Sequence, residues 1–133
     1  MRENELEKLR IEAAKIAAAL NQQIQVLNNI TEAQSQNTLQ MESLYNQDTL
    51  EIQQVEAHRG YGIKLSIDIQ NQERIVANTR AILERKQYEV QEAHKKVEIL
   101  KKLKEKQEKQ YYKDFLASEI KETDDITSAR FKK

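Results

Sequence analysis

Residues 6–30 read LEKLRIEAAKIAAALNQQIQVLNNI, and the spacing of the apolar positions in that stretch decides the fold. Leu6, Leu9, Ala13, Ile16 and Leu20 alternate three and four steps apart, and the rhythm continues through Leu27, Ile30, Met41 and Leu44. An α-helix takes 3.6 residues per turn, so residues spaced in this way share one face and form the seam of a coiled coil. Three positions that the same register places in the seam are polar, namely Gln23, Gln34 and Asn37. Such residues weaken a seam while helping to specify its register. Asn4 followed by Glu7 reads as an N-cap with a capping box, which gives a first helix over about residues 4–46.

A second seam runs through Leu65, Ile69, Gln72, Val76, Thr79, Leu83, Lys86, Val90, Ala93, Val97 and Leu100 and ends near Leu103. The two seams have equal reach. Matched head to tail, they set Leu6 beside Leu103 and Leu44 beside Leu65, so that paired numbers add to 109 and the chain reverses near residue 54 or 55. Within residues 46–62 two signals compete for the turn. Asn46-Gln47-Asp48-Thr49 ends one helix, with Asp48 and Glu51 able to cap the next, whereas Gly60 and Gly62 could supply left-handed conformations. The earlier site is favoured. The expected architecture is all-α: residues 1–133 form a single coiled-coil domain, an antiparallel two-helix hairpin whose second helix runs to about residue 128.

Composition agrees with a thin seam between exposed helices. The chain has 133 residues, no Pro, no Cys, no Trp and two Gly, with 38% of residues apolar and 33% charged. Its 22 basic and 22 acidic residues cancel, which removes the basic field that non-specific nucleic-acid binding needs. The start of the chain lacks the apolar run of a signal peptide, and no stretch of about 18 apolar residues could span a membrane, so neither secretion by a signal peptide nor a membrane span is expected, and the lack of Cys is compatible with the cytoplasm.

In the 109 register Met1 stands opposite residue 108, and about 25 residues beyond it overhang. That overhang holds four of the chain's seven aromatic residues, Tyr111, Tyr112, Phe115 and Phe131, together with Leu116, Ile120 and Ile126. An exposed helix with so much apolar surface marks a binding site. Just before it, residues 95–113 carry eight Lys against three Glu, while no Lys or Arg occurs between Lys15 and Arg59. The pairs Glu92/Lys96, Glu98/Lys102 and Glu105/Lys109 suit a solvated helix face, yet lysine remains in excess, so a docking collar stays open as the second reading.

Other motifs reduce to bland readings. His58 and His94 lie far apart without Cys or a Glu-x-x-His companion, which argues for exposed helix residues and no metal. Gly60-Tyr61-Gly62 has no preceding strand and lacks the remaining glycines of a phosphate loop, so no nucleotide is expected. Adjacent acids such as Asp124-Asp125 would need a water-excluding pocket to act as an acid-base pair, and a two-helix hairpin has none to offer. No enzyme activity and no cofactor are expected.

The C-terminal stretch Glu119-Ile120-Lys121-Glu122-Thr123-Asp124-Asp125-Ile126-Thr127-Ser128-Ala129-Arg130-Phe131 resembles the closing pattern of the flagellar export protein FliJ family, Glu-x-Lys-x-Leu-Asp-Glu-Ile-x-x-x-Arg-Phe. Glu119, Lys121, Asp124, Ile126, Arg130 and Phe131 match, Asp125 replaces a Glu, and Thr123 stands where Leu is usual. Leu100-Lys101-Lys102-Leu103-Lys104-Glu105 followed by Tyr111-Tyr112 is similar to the family's Leu-x-x-Leu-Lys-Glu and tyrosine segment, and Tyr61, Leu65 and Ile69 resemble the start of its second helix.

The resemblance implies a stalk of a flagellar or type III export apparatus, cytoplasmic and peripheral to the inner membrane. Its terminal end would enter a hexameric export ATPase, and it would also contact the cytoplasmic part of the membrane export gate and export chaperones. On that resemblance the ATPase-ring contacts are Tyr112, Phe115, Leu116, Glu119, Asp124, Ile126, Arg130 and Phe131, with residues 3–9 at the same end. The gate contacts are Gln34, Met41, Tyr45, Tyr61, Leu65 and Gln72. The isolated chain is expected to be a monomer, because a hairpin satisfies its own seam. Two other readings remain: a parallel homodimeric scaffold with no ATPase partner, and a secretion chaperone sharing the hairpin fold.

Overall fold

The computed structural model describes residues 2–131, with side chains over 3–130. It contains two helices, α1 (Arg2–Tyr45) and α2 (Ile52–Phe131), packed against each other as a hairpin. This disposes of the single parallel coil, since each chain turns back on itself. The chain divides into two compact units. One, Glu7–Val90, holds most of α1, the reversal and the first half of α2; the other joins the start of α1 up to Leu6 to α2 from Gln91 onward.

In the first unit the seam of α1 is the one its spacing defines. Leu20 and Leu44 are 8% exposed, Asn37 is 3% exposed, and Ala13, Ile16, Gln23, Leu27, Ile30, Gln34 and Met41 are half-buried. Opposite them α2 contributes Val55, Leu65 and Val76 as buried residues, with His58, Gly62, Ile69, Gln72, Thr79, Leu83, Lys86 and Val90 half-buried. Among the described residues of this unit no other residue is buried, so the core here is one layer thick, as a 38% apolar composition requires.

The reversal occupies residues 46–51. Asn46 N–H still donates to Glu42 O at 3.1 Å and Gln47 N–H to Leu44 O at 3.3 Å, which closes α1. Val55 N–H donates to Glu51 O at 3.2 Å, so Glu51 takes the cap position of α2 and Asp48 lies three residues before it, outside the helix. Gly60 and Gly62 are inside α2, and no described residue has a positive φ, so the turn uses no left-handed glycine. Asn4 likewise lies inside α1 and does not cap it; Glu3 and Glu5 in the first turn face the positive end of the helix dipole.

Register departs from the expectation. Asn37 pairs with His58, Gln34 with Gly62 and Ser66, Gln23 with Gln72, and Glu12 with Lys86, so partner numbers add to 95–100 and not to 109. The reason lies at both ends of the second seam. Its true start is Val55, ahead of a His and a Gly that serve as seam residues, and its periodicity runs on past the last residue that has a partner. In the second unit Leu6 is 6% exposed, Ala93 and Val97 are half-buried, and every described residue from Ile99 to Arg130 is exposed. Leu100 and Leu103, read as seam, are 43% and 49% exposed. The unshared end of α2 therefore begins about ten residues earlier than residue 109; the placement of Met1 itself lies outside the described residues.

Candidate functional site

The unshared end of α2 is helical although nothing in the chain covers it. Long helix-forming side chains dominate residues 99–113, and Glu92 closes an ion pair with Lys95 at 3.3 Å, three residues along, in place of the expected Lys96. The pairs Glu98/Lys102 and Glu105/Lys109 are not closed among the described residues, as befits solvated side chains that keep their rotamer freedom. Gln110 Nε2 donates to Asp114 Oδ1 at 3.1 Å. Further on, Thr123 Oγ1 donates to Glu119 O and Thr127 Oγ1 to Thr123 O, which lets β-hydroxyl residues sit inside the last turns without exposing unpaired hydroxyls. Arg130 lies in the last turn, where a cation meets the negative end of the helix.

On this segment Tyr112, Phe115, Leu116 and Ile126 are 42–61% exposed, and Glu119, Asp124 and Arg130 are exposed. Phe131 ends α2, its side chain lying outside the described residues. The candidate ring contacts therefore come from one uninterrupted helix. Tyr111 and Ile120, 76% and 62% exposed, lie on the same segment and are absent from the set read from sequence.

The candidate gate contacts are not brought together into a surface. Leu65 is buried, Met41 is half-buried in the seam, and Gln34 spends its amide on Gly62 O at 3.1 Å and Ser66 Oγ at 2.8 Å. Gln72 Nε2 donates to Gln23 O at 2.9 Å. Only Tyr45 and Tyr61 of the six project, at 59% and 48% exposure. Residue type and spacing could not separate these roles, because Gln34 and Leu65 fall on the seam whichever partner is imagined.

His58, read from sequence as an exposed helix residue, is instead part of the seam. Its Nδ1 lies 2.8 Å from Asn37 Oδ1, while Asn37 Nδ2 donates to His58 O at 2.9 Å, so Nδ1 carries the proton of this reciprocal pair. Gly62 makes room for it: a Cβ there would stand 3.0 Å from Asn37 Nδ2. Lower in the hairpin, Lys86 Nζ bridges Glu89 at 3.0 Å and Glu12 at 3.1 Å. The hydrogen bonds that Lys86 donates to Glu89 and then to Glu12 raise its pKa above the ordinary value, with desolvation opposing them. Gln23 Oε1 is buried without a partner. Among the described residues no group of three or more His, Cys, Asp or Glu side chains could hold a metal ion, and no helix is long and apolar enough to cross a membrane.

The class so defined is an all-α helical hairpin whose longer arm ends in an unshared, aromatic helical segment. The whole chain, residues 1–133, matches the family model described as Flagellar FliJ protein, and the chain belongs to that family. FliJ proteins are non-enzymatic components associated with flagellar, type III protein export. No curated protein and no solved structure matches the chain.

Proposed function

We propose that this chain is the stalk of the export apparatus, entering a hexameric export ATPase with the unshared end of α2 and coupling it to the cytoplasmic part of the membrane export gate. The observation that carries the reading is the exposure of every described residue from Ile99 to Arg130 on a helix that bears Tyr111, Tyr112, Phe115, Leu116, Ile120 and Ile126. Aromatic and aliphatic anchors that nothing in the chain covers are what a partner buries at the centre of an interface. Arg130, with its planar fork of donors, suits acidic or carbonyl groups on a ring wall. In this reading the seam residues Gln34, Met41, Leu65 and Gln72 serve the hairpin, and Tyr45 and Tyr61 carry the gate contact. The chain acts without chemistry of its own, in the cytoplasm beside the inner membrane.

The test is ATP turnover of the cognate export ATPase with purified chain added. Deleting residues 115–133 abolishes stimulation while circular dichroism shows the hairpin intact, whereas Tyr45→Ala with Tyr61→Ala leaves stimulation in place and impairs binding to the gate fragment. Undiminished stimulation by the truncated chain sinks the stalk reading. Capture of export chaperones by the tail, with no effect on turnover, would favour the escort role in its place.

A further inference from the structure

The unshared end of α2 has a seam without a helix to meet it. Leu100, Lys104, Tyr111, Phe115 and Ile126 fall on the same helix face as Val97, where the hairpin seam ends, and all of them are exposed. Charge along this segment is divided as well. Residues 95–113 hold eight Lys and three Glu, while residues 114–126 hold five Asp or Glu and one Lys. A second copy laid parallel would set lysine on lysine and acid on acid. A second copy laid antiparallel sets the basic stretch of each on the acidic stretch of the other.

We infer that two copies of this chain pair antiparallel through these ends, about a two-fold axis at the level of Lys113. In that register Leu100 faces the second copy's Ile126, Lys104 faces its Glu122, and Tyr111 faces its Phe115. The symmetry repeats each contact, so the patch is complementary to itself. The pairing is confined to residues 100–126, beyond the part of α2 that α1 covers, so the hairpin keeps its own seam. Exposed charge pairs contribute little singly and are screened by salt, so the association is weak and concentration-dependent, and the free chain passes between monomer and dimer. The paired form covers the aromatic surface that the stalk reading gives to the ring, so ring entry and self-pairing exclude each other. The pairing itself does not depend on that reading and is tested with the chain alone.

The chain lacks cysteine, which makes single introduced thiols unambiguous. Leu100→Cys mixed with Ile126→Cys is expected to give a disulfide-linked dimer under mild oxidation, and neither variant alone is expected to. At 1.5 Å per residue the two copies of residue 100 lie roughly 40 Å apart in the antiparallel arrangement, far beyond the ~7 Å a disulfide tolerates. In sedimentation equilibrium at low salt, Lys104→Glu or Glu122→Lys each weakens dimerisation about tenfold, and both changes in one chain restore it. Leu100→Cys cross-linking to itself would mean a parallel pair and overturn the proposal. So would a full-length chain that stays monomeric at several hundred micromolar, or charge reversals that leave the dimer unchanged.

Discussion

The closeness of Asn37 to Gly62 makes the two glycines of the chain behave differently. Gly60 is exposed with nothing within 4 Å of a would-be Cβ, so Gly60→Ala gains helix propensity, about 1 kcal/mol, and raises the melting temperature. Gly62→Ala gains the same propensity but drives a methyl to 3.0 Å from an Asn37 amide that is 3% exposed and committed to His58 O. The expected outcome is a lower melting temperature for Gly62→Ala, read by thermal circular dichroism of both variants beside the parent chain. Asn37→Ala should cost about 1–3 kcal/mol, because it leaves the His58 ring N–H without its acceptor in a half-buried seam. Lys86 gives a pH signature of defined sign. Its pKa is raised in the folded chain, so its contribution is fully present below the ordinary lysine value of 10.5 and is lost as pH rises through the higher folded value. The melting difference between the parent and Lys86→Gln should accordingly stay level up to about pH 10 and shrink above it.

Helix α2 does two jobs along one length, and its halves answer differently to substitution. Val76 is 6% exposed at the centre of the hairpin, so Val76→Asp places a carboxylate in the seam at a cost of several kcal/mol and unfolds the hairpin. Tyr112, 61% exposed on the unshared end, has no described intrachain contact to lose, and Tyr112→Ala should stay within about 0.5 kcal/mol of the parent. Equal losses in denaturant titrations would mean that the tail packs within the chain. The same division shows in what the spacing could tell. The seam of α1 was legible residue by residue from Leu6 to Leu44, including its polar members, because a heptad has only one face to bury. The seam of α2 was legible in its middle and not at its ends. His58 and Gly62 do not look like seam residues, and Leu100 and Leu103 do, although the first pair packs and the second pair does not.

For the molecule as a whole, the contrast between a self-satisfied seam and an unshared helical end sets where protection from solvent exchange should be found. Amides over residues 55–93 are expected to exchange slowly, being held by packing on both helices, and those from Ile99 onward to exchange faster by orders of magnitude, because an isolated helix in water frays. Adding the export ATPase should slow exchange over the second set and leave the first unchanged. Slowing over residues 34–66 in its place would move the ring contact to the reversal and contradict the assignment of Tyr112, Phe115 and Arg130.

Helix content, the α1 seam and the resemblance to the FliJ family were legible in the sequence alone, because they rest on local periodicity or on short runs of residue types such as Glu119 to Phe131, whereas the hairpin expected from matched seams stood beside a parallel coil until the structure excluded it. Only the tertiary structure decided the register, the start of the unshared end near residue 99, the seam role of His58 and the burial of Leu65. Those depend on where one helix finds the other. A heptad pattern states which face is to be covered, and it runs on unchanged past the point where the covering helix ends.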